Sequence, residues 1–211
     1  MMTASATSTT TDPRKERARA TRRRMVEAAY RLFCERGFNV PLTAIAAEAG
    51  VAVQTLYFTF HTKVGLLQEA LQFAVHGDDL PTPPHERAWF AAMVLEPDPQ
   101  RAILLMLQGT QGVYDRVGPL AGIFQTGEAD VANMWRHSEQ LRYHGMGIVV
   151  SALLEKGQPR SGVDVTTATD MVFVLLSPPT YQAFIAEREW AVEQWQAWTA
   201  DTLVQAIFQV P

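Results

Sequence analysis

A short apolar pattern with one glycine near its centre, LTAIAAEAGVAVQTLYFTF over residues 42–60, constrains the fold more than any other segment. Two helices can cross steeply through a short turn only if the crossing point is small and the turn tolerates a positive φ. Ala46 supplies the small crossing point, and Gly50 supplies the turn. The apolar residues expected to form a small core around them are Ile45, Val51 and Leu56. The pattern therefore predicts a helix-turn-helix with helices over 42–49 and 53–60.

The rest of the chain is also expected to be helical, because apolar residues repeat at three- and four-residue spacing and no stretch alternates as a strand does. Pro178 and Pro179 are expected to bend or break one long helix, and Pro119 to split off a short segment ending near Thr126. The predicted helices cover residues 13–36, 42–49, 53–60, 63–76, 85–95, 98–117, 128–156, 164–186 and 189–208. The predicted fold is all-α, with a three-helix helix-turn-helix head and a larger helical body.

Composition shifts divide the chain into a tail and two domains. Residues 1–13 lack the charged start and apolar stretch of a secretion signal and are expected to form a disordered tail. Residues 14–70 form the predicted helix-turn-helix domain and residues 71–211 the larger domain, since the segment 77–84, with two aspartates and three prolines, cannot continue a helix. No apolar run could cross a bilayer, and a single cysteine, Cys34, excludes an internal disulfide. We expect a soluble, cytoplasmic protein without a cofactor.

The net charge of −4 is unevenly distributed along the chain. Residues 1–63 hold ten Lys and Arg against five Asp and Glu, whereas residues 64–211 hold eight against seventeen. A basic domain beside an acidic one favours contact with nucleic acid through one face only.

The second helix of a helix-turn-helix presents its outer face to the DNA major groove. In this chain Gln54 can form paired hydrogen bonds to an adenine edge, and Val53 or Phe58 can touch a thymine methyl group. Thr55 can bond to several bases. Four further residues carry hydroxyl, imidazole or ammonium groups that could hold phosphates: Thr43, Tyr57, His61 and Lys63. Phosphate contacts of this kind fix the register of the protein on DNA without reading its sequence.

A basic stretch, RKERARATRRR over residues 14–24, precedes this motif and holds seven Lys and Arg with one acid. It has two interpretations: a solvated helix face, or an arm that follows phosphates and enters the minor groove. We assign Arg22 as its candidate DNA contact. Each phosphate contact would steepen the salt dependence of binding.

Together these segments resemble the amino-terminal domain of TetR-family regulators over roughly residues 21–70, most specifically in AAYRLFCERGF, IAAEAGV and TLYFTFHTK. Members of that family are all-helical homodimers that bind palindromic operators, mostly as repressors released by a small ligand. The resemblance implies that Thr55 and Tyr57 contact DNA, and that Lys63 contacts the DNA backbone.

The chain departs from the family pattern at the starts of the two motif helices. Pro41 and Ala52 stand where the family tends to place capping Ser or Thr, and Val53 replaces a usual polar residue. Asn39 is a candidate substitute cap, because asparagine side chains accept hydrogen bonds from the first helical N–H groups. We expect an unusual base preference.

The resemblance also implies a ligand cavity in the larger domain, with a small apolar or aromatic effector. The side chains suited to line it are Trp89, Phe90, Met93, Met106, Gln111, Tyr114, Phe124, Trp135, His137, His144 and Phe173. The alternative is that the apolar members only fill the core. His137 and His144 project from one side of a helix, but zinc needs convergent ligands that this spacing does not supply, so we predict no metal site.

The final helix carries an apolar stripe formed by Val192, Trp195, Thr199, Leu203 and Ile207. Large aromatics with aliphatics favour a self-association face, which would form a four-helix dimer interface with the 164–186 helix. The alternatives are that the stripe packs inward on the same chain, or that both hold on different sides of the helix.

The sequence therefore predicts a ligand-responsive, DNA-binding transcription regulator that acts as a homodimer on double-stranded DNA, most often as a repressor. Two other classes remain as alternatives. A helical-bundle enzyme would need a nucleophile with its base, paired carboxylates or a Glu-x-x-His set, and none of these patterns is present. A protein-binding adaptor would use the basic arm for an acidic partner.

Overall fold

The computed structural model describes residues 12–77, 82, 86–125 and 127–209. The chain separates into two compact units, residues 1–70 and 71–211. Most of the predicted tail lies outside the described residues. Its last two residues belong to the first helix instead, because Asp12 caps that helix through the Arg14 N–H at 2.9 Å and Pro13 is its first residue.

Helices account for the amino-terminal unit, and their bounds confirm the prediction from periodicity. The helices are α1 (Pro13–Arg36), α2 (Leu42–Ala49), α3 (Val53–Phe60) and the first part of α4 (Lys63–His76), whose last turns belong to the second unit. α1 packs on α2, and α2 packs on α3. α1 buries an apolar stripe formed by Met25, Ala28, Ala29, Leu32 and Phe33. Phe38 folds back so that its ring stacks on Phe33 with centroids 6.1 Å apart.

Helices also build the carboxy-terminal unit. They are α5 (Ala88–Leu95), α6 (Pro99–Val117), α7 (Ala121–Phe124), α8 (Ala129–Leu154), α9 (Val165–Leu175), α10 (Pro178–Gln182) and α11 (Val192–Ile207). A 3₁₀ turn at Gly118–Leu120 precedes α7, and a π-helical turn at Ala183–Glu187 follows α10. α6 packs on α5 and α11, and α8 packs on α9.

Proline breaks the predicted 164–186 helix where expected. α9 ends at Leu175 and α10 restarts at Pro178, with Ser177 Oγ accepting from the Thr180 N–H at 3.3 Å. The predicted all-α class is confirmed, since pairing outside helices in the described residues is limited to an isolated antiparallel bridge between Pro159 and Phe208.

The apolar stripe of α11 packs inward. Four of its five members, Trp195, Thr199, Leu203 and Ile207, are buried in the core of their own unit, and Val192 is half-buried. Assigning this stripe to self-association was therefore wrong, because α6 and α9 already cover it. The outward face of α11 carries Gln194, Trp198, Asp201 and Gln205 instead.

No helix among the described residues is both long enough and apolar enough to span a membrane.

Candidate nucleic-acid interface

The turn between α2 and α3 has the geometry that its sequence predicts. Gly50 lies in the left-handed region at φ 66° and ψ 41°. Its N–H donates to the Ala47 carbonyl at 3.2 Å, and the Val51 N–H donates to the Ala46 carbonyl at 3.0 Å. This paired closure is a Schellman motif, which ends a helix and reverses the chain. The reversal starts α3 three residues later.

Packing fixes the direction in which α3 faces. Ile45, Ala46 and Leu56 are buried and form the predicted small core, while Val51 is only half-buried at its edge. Because Leu56 points inward, the residues on the opposite side of α3 must point outward.

The outward face of α3 carries the residues predicted to read DNA. Gln54 is exposed, and so are Tyr57 and Phe58, at 53% and 86%. Val53 and Thr55 are half-buried at the edges of this face. A phenylalanine ring so fully in water on a short helix is costly unless another surface covers it. The face is therefore built for a partner.

The chain after α3 turns more tightly than the sequence indicates. His61 is exposed with φ 62° and ψ −47°, and the Thr62 N–H donates to the Phe60 carbonyl at 2.6 Å, which closes a strained γ-turn on His61. Thr62 Oγ1 then accepts from the Gly65 N–H at 2.9 Å and caps α4. A Cβ on Gly65 would lie 2.5 Å from the Phe60 carbonyl oxygen, so only glycine fits.

Two predicted phosphate-binding cations also hold the domain together. The Arg22 guanidinium pairs with Glu69 at 3.0 Å and lies 4.7 Å from the centre of the Phe60 ring. The Lys63 ammonium lies 4.6 Å from the centre of the Phe38 ring. Both side chains therefore have protein contacts that DNA would have to share. Thr43 is exposed near the start of α2.

The starts of α2 and α3 lack side-chain caps. Pro41 and Ala52 occupy the capping positions, and neither helix has a side-chain hydrogen bond there. The expectation that Asn39 substitutes as a cap is wrong, because α2 begins at Leu42, which places Pro41 and not Asn39 at the capping position.

The basic arm extends α1 into solvent. Residues 13–20 are exposed on every side of the helix, as are Arg23 and Arg24. Arg23 pairs with Glu27 at 2.7 Å on the same helix. The side chains of the first two turns are not buried against the protein, so the basic ones are available to an anionic surface.

Comparison with known proteins identifies the motif. Residues 25–70 match the family described as bacterial regulatory proteins, tetR family. The amino-terminal unit is a TetR-family helix-turn-helix domain. Among proteins of curated function, no sequence matches this chain.

Solved structures extend the likeness in fold to both units. The regulator FadR from Bacillus subtilis, in complex with stearoyl-CoA, has 15% identity, covers 88% of this chain and 98% of its own, and gives a TM-score of 0.69. NalD of Pseudomonas aeruginosa, the secondary repressor of the MexAB-OprM multidrug efflux pump, has 16% identity with coverages of 92% and 98% and a TM-score of 0.66. A TetR transcription regulator from Haloarcula marismortui has 15% identity, coverages of 90% and 100%, and a TM-score of 0.63.

In the carboxy-terminal unit, the candidate effector residues do not form one site. Met93, Met106 and Tyr114 are buried, and His137 and His144 are exposed on α8. The half-buried members are Trp89, Phe90, Gln111, Phe124, Trp135 and Phe173. They form separate groups: the Trp89 and Phe90 rings lie 5.9 Å apart, and the Phe124 and Trp135 rings stack at 4.0 Å. Within the described ranges no three His, Cys, Asp or Glu side chains are grouped to hold a metal.

Tyr114 is the exception, because it belongs to a buried aromatic cluster whose other members, Tyr181 and Trp195, were not among the predicted effector contacts. The Tyr114, Tyr181 and Trp195 rings lie 4.8–6.0 Å apart in pairs, and we call these three rings the core aromatic cluster. Tyr181 donates to Asp115 Oδ1 at 2.6 Å. Burial raises the pKa of the Tyr114 phenol to about 12, opposed by smaller effects of Arg142 and of a hydrogen bond with Thr110.

A surface groove of about 300 Å³ lies along α8 and α9, lined by Arg136, Glu139, Gln140, Tyr143 and Phe173. Two of these lining residues are held by Arg142, whose guanidinium lies 3.7 Å from the centre of the Phe173 ring and pairs with both carboxylate oxygens of Glu139 at 2.8 and 2.9 Å. Of the groove residues, Phe173 is one of the predicted effector contacts.

Proposed function

We propose that this chain is a ligand-responsive transcription regulator, which binds a palindromic operator as a homodimer and is released from it by a small molecule. The observation that carries the proposal is the outward face of α3, exposed on a TetR-family domain. Its cytoplasmic action follows from the proposed target, DNA.

The residues of α3 divide into two roles in this proposal. Gln54 reads a base edge, because a carboxamide matches the paired donor and acceptor of adenine, and Phe58 covers a thymine methyl group. Tyr57 holds a phosphate and contributes affinity without sequence preference. Thr43, Thr55, His61 and Lys63 support this docking from the helix ends.

The basic arm adds a second DNA contact. Its first two turns carry Arg14, Lys15, Arg17 and Arg19, all exposed. A run of cations projecting beyond the folded domain suits the phosphate backbone, where neutralised charges release counterions. The arm lies outside residues 25–70, so it would be a feature of this chain rather than of the matched domain.

Homodimerisation follows from the operator that we propose. Two recognition helices must lie about 34–36 Å apart to enter successive major grooves. An aromatic surface cluster offers a face for the second copy: the Phe184, Trp190 and Trp198 rings lie 4.8–5.8 Å apart, and Trp198 is 38% exposed on the outward side of α11. Aromatic residues are enriched at such interfaces.

Two of the similar structures support a ligand response. FadR is bound to stearoyl-CoA, and NalD is a repressor. For this chain we propose the same kind of switch: an effector lowers DNA affinity to the extent that it prefers the conformation that does not bind DNA.

Selection of bound duplexes from a random pool by the purified full chain tests the proposal. We expect enrichment of a palindrome whose half-sites are centred about one DNA turn apart, with binding that weakens steeply as salt rises. Retention of no duplex, or salt-sensitive binding without any sequence enrichment, would contradict it.

A further inference from the structure

Two buried polar side chains of α11 have no hydrogen-bond partner among the described residues. They are the indole Nε1 of Trp195 and the hydroxyl Oγ1 of Thr199, and both residues are 0% exposed. Buried polar groups in folded proteins are nearly always paired, since an unpaired one loses its bonds to water without replacement. Two such groups on one helix therefore need an explanation.

The two groups lie on the same side of α11, one turn apart, so their Cβ atoms are separated by about 5–6 Å. They face α6. Gln196 Nε2 donates to Gln111 Oε1 at 3.1 Å, and Gln100 bonds to Asp201 near the other end of the pair. These two contacts show that α6 and α11 run antiparallel, which places Thr199 level with the middle of α6.

The rings around Trp195 are already hydrogen-bonded elsewhere. Tyr181 donates to Asp115, and Tyr114 bonds to Thr110. Within the core aromatic cluster, the indole N–H of Trp195 is thus the polar group without a hydrogen bond. The Trp195 ring meets the Tyr181 ring edge to face with centroids 4.8 Å apart and the Tyr114 ring with centroids 6.0 Å apart, so two aromatic rings border the indole.

We propose that a small, uncharged aromatic molecule carrying a hydrogen-bond acceptor binds between α6 and α11, where the acceptor takes the Trp195 N–H and the Thr199 hydroxyl. An indole N–H can only donate, so the ligand must supply the acceptor. Aromatic walls favour a flat ring. A charged ligand would lose its hydration without an opposite charge in the cluster. This inference rests on the ligand response proposed above and names the effector class.

Entry requires side chains to move, because both unpaired groups are fully buried. Met93 and Met106 belong to the same core, and methionine repacks more readily than branched or aromatic residues. The site is then a minor conformation that the ligand makes dominant.

Two probes of matched shape test the inference: acetophenone, and α-methylstyrene, in which a methylene replaces the carbonyl oxygen. Calorimetry on the full chain without DNA should show that acetophenone binds roughly five- to tenfold more tightly than α-methylstyrene. That factor is what one hydrogen bond contributes to affinity. In ¹⁵N-labelled protein, the indole N–H signal that disappears in Trp195→Phe should move downfield with acetophenone only. Equal affinities, no saturable binding, or an unmoved Trp195 signal would overturn the proposal.

Variants locate the bond. Trp195→Phe keeps a ring and removes the N–H, so it should abolish the preference for acetophenone. Thr199→Val replaces an unpaired hydroxyl with a methyl group of the same shape, so it should raise the Tm of the free chain by about 2–4 °C. The matched control is Thr202→Val, whose hydroxyl already donates to the Trp198 carbonyl at 2.8 Å, and it should leave the preference unchanged. A lower Tm for Thr199→Val would contradict the proposal even if Trp195→Phe fails to fold.

DNA affinity is measured separately, so the two proposals fail in different ways. A chain that binds a selected duplex while its Trp195 signal ignores acetophenone overturns the site and leaves the regulator intact. A chain that binds acetophenone at Trp195 but no duplex keeps the site and overturns the regulator.

Discussion

Arg116 Nε donates to the Ala74 carbonyl oxygen at 2.7 Å, and this bond ties α6 to the last turn of α4. Carbonyls at the end of a helix lack partners within it, and the helix dipole favours a cation there. Arg87 donates to the His76 carbonyl at 3.3 Å in the same region. Because Tyr114 lies two residues before Arg116, α6 connects the core aromatic cluster to the end of α4.

Removal of the Arg116 side chain should destabilise the chain. Arg116→Ala leaves the carbonyl of the buried Ala74 without its charged donor, which costs about 1–3 kcal/mol of unfolding free energy. Urea unfolding followed by circular dichroism measures the loss. Arg160→Ala is the control: Arg160 is exposed and donates to the Gln205 carbonyl at 3.0 Å, and its loss should cost about 0.5 kcal/mol or less. Equal unfolding midpoints for both variants and wild type would remove Arg116 from this role.

The turn at Gly50 should tolerate asparagine better than alanine. A non-glycine residue at φ 66° costs about 1–2 kcal/mol, and asparagine adopts this conformation more readily. Space is not limiting, since a Cβ at Gly50 would meet nothing within 4 Å. We expect Gly50→Ala to lower the unfolding free energy and Gly50→Asn to lower it less.

Gly145 supplies the matched comparison for that substitution. It lies inside α8, where a Cβ also meets nothing within 4 Å but φ is ordinary for a helix. Gly145→Ala should therefore stabilise the chain by about 1 kcal/mol. The same sign for Gly50→Ala and Gly145→Ala would contradict the left-handed turn.

Sequence periodicity, glycine and proline located nearly every helix, because those signals are local. Asn39 failed as a predicted cap because the choice between it and Pro41 depends on where α2 begins. The core aromatic cluster could not be predicted: Tyr114 meets Tyr181 and Trp195 across more than sixty residues, and no local pattern encodes that pairing. The apolar stripe of α11 could be predicted from its spacing, but whether it faces the core or a second copy depends on the packing of α6 and α9 against it.

The basic arm should set the salt dependence of DNA binding. Replacing Arg14, Lys15, Arg17 and Arg19 with alanine keeps helix propensity and removes four exposed cations. Each lost phosphate contact lowers the slope of log affinity against log salt by about 0.9. Fluorescence anisotropy on a selected duplex from low to high salt gives the slope. An unchanged slope would mean that the arm is only a solvated helix.

Alkaline pH should weaken the fold partly through Tyr114. Its folded pKa of about 12 exceeds the unfolded value of about 10, so its neutral form is the one that the fold stabilises. That stabilisation is complete below about pH 10 and is lost as pH rises toward 12. Tyr114→Phe should lose less unfolding free energy than wild type over this interval in urea titrations. Parallel losses in the two proteins would count against the buried phenol.

The central claim is that α3 reads DNA through Gln54, and one measurement tests it most directly. Affinities of wild type, Gln54→Ala and Tyr57→Phe are compared on a selected duplex and on its single base-pair variants. We predict that Gln54→Ala loses about 1–3 kcal/mol of discrimination at one base pair per half-site, while Tyr57→Phe weakens all duplexes equally. Unchanged discrimination in Gln54→Ala, or no specific duplex for wild type, would contradict the account.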